Sequence, residues 1–308
     1  MKVLVTGGAG FIGSHIAEEL LKQHYEVVVV DNLITGNREN IPLGVTFYQA
    51  DVREDLSEIF TKEKPDFVIH QAAQVSVAHS MNQPIYDSEE NIISTINLLE
   101  ASVNHNIKKF VFASSAALYG NPEYLAIDEK HVVNPISFYG LSKLNAESYI
   151  QLFSRLYGLS YTILRYANVY GMRQDTKGEA GVVAIFIEQA LKGESPTIFG
   201  DGEQTRDFVF VKDVAKANVA SLHNGDNEVI NISNCSQTSV LEIINNLSEI
   251  TGKPVSPTFQ PERPGDIRHS YLSNLKALKL LNWYPSYEFF QGIEETIAYY
   301  EKGLIKIS

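Results

Sequence analysis

The stretch VTGGAGFIGSH at 5–15 constrains the fold of this chain more than any other. The apolar run KVLVTG at 2–7 precedes its turn, and the amphipathic run SHIAEELLKQ at 14–23 follows. Gly7, Gly10 and Gly13 therefore sit where a buried strand gives way to a helix. Glycine at this spacing lets the main chain turn tightly and pass close to a pyrophosphate, which meets the positive end of the helix. A second apolar run, EVVVVDN at 26–32, ends on Asp31. An acid there hydrogen-bonds a ribose 2′-hydroxyl and repels a 2′-phosphate. The pattern predicts a dinucleotide site that takes NAD in preference to NADP. Arg38 is the nearby cation that argues the other way, and it is assigned to solvent or to the pyrophosphate.

Further apolar runs at 45–52, 66–73, 108–115 and 160–168 read as strands, separated by helical stretches such as 87–105. Strands alternating with helices predict a parallel sheet covered on both faces. After Asn168 the alternation breaks into segments rich in Gly, Pro and Asp. MRQDTKGEAG and FGDGEQTRDF read as loops, EVINIS at 228–233 as a strand returning to the sheet, and 238–252 and 292–303 as helices. The expected fold is α/β: a Rossmann-type doubly wound parallel sheet with a smaller, discontinuous α/β substrate-binding domain. The expected division is 1–167 plus about 207–232 for the first domain, and about 168–206 plus 233–308 for the second.

Composition narrows the function. A formal net charge of −12 argues against nucleic acid or an anionic membrane as partner. The single cysteine, Cys235, excludes an internal disulfide and a cysteine-based zinc site, and no metal is expected. The N-terminus lacks the long apolar core of a signal peptide, and no apolar run has the length of a membrane span, so a cytoplasmic protein is expected.

SFYGLSKLNAE at 137–147 places Tyr139 and Lys143 four residues apart, on one face of a helix. The pair reads either as neighbours on a surface helix or as a proton-transfer pair, in which the ammonium lowers the phenol pKa so that it acts as a base.

Together with Gly7, Gly10, Gly13, Asp31, ADV at 50–52 and SSAALYG at 114–120, that pair resembles the extended short-chain dehydrogenase/reductase superfamily. Within it, LRYANVYG at 164–171, GDGEQTRDFVFVKDV at 200–214 and RPGDI at 263–267 look like the nucleotide-sugar 4-epimerases of the UDP-glucose 4-epimerase group. The resemblance covers essentially the whole chain. It implies cofactor contacts from Phe11, Ile12 and Asn32, adenine contacts from Asp51 and Val52, a pyrophosphate path along Ala72 and Ala73, and Asn91 near the cofactor. It implies Tyr139 as acid/base, Lys143 on the nicotinamide ribose, and Ser115 on the reacting oxygen, with Ser114 competing for that place.

The reaction implied is transient oxidation at C4 of a UDP-hexose, followed by return of the hydride to the opposite face. Sister dehydratases and decarboxylases carry an acid just after the catalytic Ser/Thr, where this chain has Ala116 and Ala117, and alanine moves no proton. The resemblance further implies Arg206 and Arg263 on the diphosphate, Asp266 on the uridine ribose, Asn168 on the sugar or phosphate, and Ser270 as a small pocket gatekeeper that admits a 2-N-acetyl group. UDP-Glc/UDP-Gal are the expected substrates, with UDP-GlcNAc/UDP-GalNAc in reach. UDP-glucuronate is the alternative, disfavoured by Asp175 where a uronate enzyme calls for a cation. An NAD-linked nucleotide-sugar oxidoreductase and a non-catalytic dinucleotide sensor are the other readings. A homodimer through the helices at 83–105 and 139–157 is expected.

Overall fold

The structure is a computed structural model that describes residues 1–176, 181–263 and 266–305. Its first half runs β1 (Lys2–Thr6), α1 (Phe11–Lys22), β2 (Glu26–Asp31), β3 (Thr46–Gln49), α2 (Ser57–Glu63), β4 (Phe67–His70), α3 (Val77–Asn82), α4 (Pro84–Ser88), α5 (Ser94–Asn104), β5 (Lys109–Ser115), α6 (Phe138–Tyr157) and β6 (Ser160–Tyr166). The second half runs β7 (Asn168–Tyr170), α7 (Val182–Lys192), β8 (Thr197–Phe199), β9 (Thr205–Arg206), β10 (Phe208–Phe210), α8 (Val211–Ala220), β11 (Glu228–Ile232), β12 (Thr238–Ser239), α9 (Val240–Thr251), β13 (Thr258–Gln260), α10 (Leu275–Leu281) and α11 (Phe289–Ile305).

Seven strands form one parallel sheet in the order β11-β6-β5-β4-β1-β2-β3. Each of the seven apolar runs read from the sequence lies in it. Most read as continuous apolar runs because both faces are covered. Side chains alternate between those faces. Val3, Val5, Val27, Val29, Val111 and Ile230 share one core with Ile16 and Leu20 of α1, Val214 of α8 and Leu281 of α10. Leu4, Val28, Val30, Val68, Phe110 and Ile163 share the other with Phe60 of α2, Leu98 of α5 and Ile150 of α6. The result is a Rossmann-type layered fold.

A third core joins α7, α9 and α11 to β8 and β10 through Phe186, Ile187, Ile198, Phe210, Ile243, Leu247 and Ile293. Here the sequence reading missed elements. α7 was not read, and FGDGEQTRDF contains β9 and the start of β10 where a loop was expected. Strands of two or three residues show no measurable alternation, so turn residues dominate their signal. Part of MRQDTKGEAG lies outside the described residues. The segment 272–283 packs with the central sheet through Leu272, Ala277, Leu281 and Trp283, although the sequence division puts it in the second domain.

Two contacts tie the region after β7 to α1. The His15 ring nitrogen Nε2 lies 3.1 Å from the carbonyl of Met172, and Arg173 pairs with Glu18. Burial works against the charge of Glu18, but His15 and Arg173 hold its carboxyl down at about 2. At the other end of the chain, fully buried Asp213 accepts the main-chain N–H of Ser286 (2.9 Å) and Tyr287 (3.0 Å) and the hydroxyl of Ser286 (2.6 Å). It thereby fixes the segment that leads into α11. Asp213→Ala leaves these donors unpaired and is expected to cost about 2–4 kcal/mol. Urea unfolding followed by circular dichroism checks this, and an unchanged midpoint contradicts it.

Candidate active site

The chain leaves β1 to one side for β2 and β3, and comes back on the other side as β4. Such a reversal opens a crevice at the carboxyl ends of the strands. Gly7 has φ +66°, and a Cβ there would stand 2.7 Å from the main-chain nitrogen of Ala72. A Cβ on Gly13 would stand 2.2 Å from the Gly7 carbonyl oxygen. The turn is thus open to a ligand's backbone only as glycine. α1 begins at Gly10 with no side-chain cap and no acid in its first turn, so its leading N–H groups are left for an anion. Asp31 is nearly buried, with Oδ2 accepting the Ala9 N–H (2.9 Å) and Oδ1 the Leu33 N–H (2.8 Å). Arg38 lies over the Phe47 ring at 5.2 Å. These residues fit a dinucleotide with a free ribose 2′-hydroxyl.

From this crevice a cavity of about 1100 Å³ continues into the second half of the chain. That exceeds the usual volume of a single small-ligand pocket, roughly 300–1,000 Å³, and suits a dinucleotide beside a second ligand. Of the residues singled out from the sequence, Gly7, Gly10, Phe11, Ile12, Gly13, Asp31, Asn32, Val52, Ala72 and Ala73 line its cofactor end. Ser115 and Tyr139 line its middle, and Asn168, Arg206, Arg263 and Asp266 its far end.

Four lie off the wall. Asp51 accepts bonds from Asn32 Nδ2 (3.1 Å) and from Arg53 (2.7 Å), which holds its carboxyl well below the usual range. Asn91 clamps the loop at Gln74, accepting its N–H (2.9 Å) and donating to its carbonyl (3.0 Å). Lys143 is buried beneath Tyr139. Ser270 is bonded through its own N–H to the Thr205 carbonyl (3.3 Å), in a segment bridged to β9 at His269. That pairing keeps it beside β9, the strand that carries Arg206. Pro264 and Gly265 of RPGDI lie outside the described residues.

The chemistry gathers where α6 meets the end of β5. Ser137 caps α6 by accepting the Gly140 N–H (3.1 Å). A Cβ on Gly140 would stand 2.6 Å from the Ala117 carbonyl oxygen, so glycine lets the helix press against the turn after Ser115. Of the two serines, Ser114 is buried and donates to Glu147 (2.6 Å), whereas Ser115 accepts the Ala117 N–H (3.2 Å) and has its hydroxyl proton to give. Burial pushes the Tyr139 phenol above its usual pKa, and a hydrogen bond with Ser115 pulls the other way. Burial also lowers the Lys143 ammonium to about 8. Its Nζ donates to the Ala113 carbonyl (3.1 Å) and stands 5.9 Å from the centre of the Tyr139 ring. The lowering expected from Lys143 belongs with the positive nicotinamide ring, and in the protein alone burial sets the direction for the phenol. The low-polarity surroundings outweigh a cation that is turned toward a main-chain carbonyl.

At the far end, burial works against the charge of Arg206 and nearby Asp266 opposes that effect. The Arg263 guanidinium covers the Phe199 ring at 3.8 Å. Asn168 donates to the Asp207 carbonyl (3.1 Å). Sequence reasoning missed Gln71, Gln74, Phe199 and Gln204 on the wall. No spacing announced them, since each arrives on a loop or a strand end.

The sequence profile of the NAD dependent epimerase/dehydratase family matches residues 3–233. The chain belongs to this family. Among solved structures, it resembles a UDP-glucose 4-epimerase of Thermotoga maritima bound to UDP-glucose, with 46% identity, a TM-score of 0.96, and coverage of 99% of this chain and 100% of that one. It also resembles a Thermus thermophilus UDP-glucose 4-epimerase in complex with NAD, with 43% identity, a TM-score of 0.91, and coverage of 98% and 99%. A UDP-N-acetylglucosamine 4-epimerase of Methanobrevibacter ruminantium matches at 36% identity with a TM-score of 0.94, covering 98% of each chain. Members of this family depend on NAD, and the glycine turn and Asp31 are the parts of this chain that fit it. Among the described residues, no helix is long and apolar enough to cross a membrane.

Gly140→Ala should move Tyr139 away from Ser115 while leaving the glycine turn intact. The expected outcome is a fall in turnover of about tenfold or more with NAD still bound, because misplacement on the ångström scale is that costly. Steady-state kinetics with a parallel assay of bound NAD checks it. Full activity would mean that α6 has room to retreat without carrying Tyr139 with it.

Proposed function

We propose that this chain interconverts UDP-glucose and UDP-galactose by NAD-dependent epimerisation at C4. One observation carries the reading. Ser115 and Tyr139 sit midway along a single cavity, between a dinucleotide cradle and the arginines Arg206 and Arg263, with alanines at 116 and 117. Arg206 and Arg263 hold the diphosphate, with Asp266 on the uridine ribose and Asn168 on the sugar or phosphate. Tyr139 takes the proton from the 4-hydroxyl, and Ser115 holds that oxygen. Lys143, below the phenol, binds the nicotinamide ribose and supplies positive charge. The bound nicotinamide supplies a reversible hydride acceptor whose positive ring favours phenolate. The 4-keto sugar then presents its other face, and Tyr139 returns the proton. Ala116 and Ala117 offer no acid for elimination, so the sugar leaves with its hydroxyls intact.

The likeness to the Methanobrevibacter ruminantium enzyme supports extending the substrates to UDP-GlcNAc and UDP-GalNAc. A uronate is disfavoured, because Asp175 lines the cavity and repels a second carboxylate. The division into a cofactor lobe and a nucleotide-sugar lobe follows the separate third core, with α10 returning to the first lobe. Both ligands are metabolites of the cytoplasm, where we place the protein.

Incubation of the purified protein with UDP-Glc, UDP-GlcNAc and UDP-GlcA, with products separated by chromatography, tests the substrate reading. Tyr139→Phe should keep the fold and bound NAD and lose turnover by at least roughly a hundredfold, the scale of a lost general base. Near-wild-type turnover in that variant would sink the assignment of Tyr139.

A homodimer is part of the proposal. Phe138, Leu141, Tyr149, Leu152 and Leu156 stand exposed along α6 at helical spacing, with Ile85 and Ile93 exposed on α4 and the turn before α5, both of which pack against α6. A second copy covering this face would bury it. Leu152→Glu is expected to yield monomers, as read by light scattering after size exclusion. A wild-type protein that is itself monomeric at assay concentration would refute the dimer.

A further inference from the structure

Asp87 on α4 is a fully buried acid with no part in the scheme above. Its Oδ1 accepts from Gln74 Nε2 (2.7 Å) and Asn91 Nδ2 (3.1 Å). Its Oδ2 is also buried and has no hydrogen-bond partner among the described residues. Asn91 Nδ2 also lies 3.1 Å from Ser142 Oγ, its two hydrogens shared among that hydroxyl, Asp87 and the Gln74 carbonyl, and Ser142 donates to the Tyr139 carbonyl (2.9 Å). Ser142 is the residue before Lys143. A short relay of hydrogen bonds thus joins Asp87 to the turn of α6 that bears both Tyr139 and Lys143. A buried carboxylate oxygen with no donor is costly unless a nearby cation compensates it.

The cations and acids near this turn leave few candidates. Glu147, one turn beyond Lys143 on α6, is paired with Arg165 of β6 (2.7 Å) and accepts from Ser114. Glu90, on the turn after α4, is paired with Arg53 (2.8 Å). His79 of α3 packs edge-on against Tyr86. His70 of β4 lies between Thr6 (2.7 Å) and Thr95 (3.1 Å), kept neutral by burial. Among the described residues, Lys143 is the buried cation on this turn with no carboxylate in hydrogen-bonding contact.

We propose that Asp87 is a positioning residue for the reaction: the buried counter-charge, from a neighbouring helix, that holds the Lys143 ammonium charged beneath Tyr139, with Glu147 doing the same from within α6. The inference rests on the epimerase reading of the site. Burial lowers Lys143, and both Asp87 and Glu147 oppose that fall. Asp87 also adds to the rise of the Tyr139 phenol, whereas Glu147 lies two turns along α6 from Tyr139 and is neutralised by Arg165. The two acids therefore leave different signatures.

Asp87→Asn keeps an oxygen for Gln74 and Asn91 and puts the amide nitrogen where Oδ2 stood, so the charge is the main loss. The test is the pH profile of kcat/KM for UDP-glucose with NAD-loaded protein. In Asp87→Asn, both limbs should move to lower pH by about one unit, the scale of removing a charge from a buried site. In Glu147→Gln, only the limb belonging to Lys143 should move. Limbs that stay in place in Asp87→Asn, with or without a loss of rate, overturn the proposal. Asp87→Ser, which also removes the charge, is the second variant should the amide disturb folding. The Tyr139 phenolate absorbance, read as the difference between each protein and its Tyr139→Phe counterpart, follows the same shift without turnover. Absence of any UDP-sugar turnover would therefore count against the epimerase reading, while this titration still decides whether Asp87 acts on the pair. An unmoved phenolate titration in Asp87→Asn overturns the proposal.

Discussion

The position of β1 between β2 and β4 governs everything else in this molecule. Parallel strands joined by right-handed crossovers place their helices on opposite faces when the chain changes direction. The reversal at β1 thus leaves one edge of the sheet uncovered by helices, at the carboxyl ends of the strands. The glycine turn, Asp31, the loop at 71–76 and Ser115 all sit at such ends, on β1, β2, β4 and β5. Elements after β7 line the rest of this edge, so the cavity is bounded by the glycine turn and strand ends on one side and by β8, β9 and α7 on the other.

Close main-chain approach is what makes the edge usable. At Gly7 and Gly13 the absence of a side chain lets the main chain at Ala72 and at Gly7 itself close up, which shapes the turn that faces a ligand's phosphates. At Gly140 it leaves space for a protein carbonyl, that of Ala117. The same covalent economy serves recognition in one place and the alignment of reacting groups in the other. Burial then sets the electrostatics. The phenol is harder to ionise and the ammonium easier to neutralise than in water, so the proton inventory of the site depends on the charges gathered around it, including buried acids that touch no ligand.

The sheet was legible because its strands announce themselves. Val27–Val30 and Phe110–Phe112 are uninterrupted apolar runs, as burial on both faces requires. The cofactor residues were legible for a related reason: Gly7, Gly10, Gly13 and Asp31 occupy fixed offsets along one strand–turn–helix–strand path. The second lobe was harder to read. Thr205–Arg206 is a strand because Thr238–Ser239 and His269 lie beside it, and both partners are remote in sequence. Asp87 and Glu147 were silent too. Each lies on a helix whose sequence looks ordinary, and what singles them out is their depth and their neighbours. Lys143 shows the limit from the other direction. Its spacing from Tyr139 was plain, but the aim of its Nζ at the Ala113 carbonyl depends on how far β5 extends beneath the helix.

α7, α9 and α11 share a core with β8 and β10 that meets the sheet's core at Ile12 and Val169, and the cavity takes side chains from both regions. Tyr139 and Ser115 come from the sheet side, while Arg206 and Arg263 come from the other. Changes at sites that share no partners tend to add rather than interact. A lineage carrying this architecture is therefore free to remodel the wall around β8 and β9, and with it the choice of ligand, at little risk to the acid–base apparatus. The contacts of His15 and Glu18 with Met172 and Arg173 mark where that independence ends, because there the cofactor helix and the mutable wall are fastened to one another.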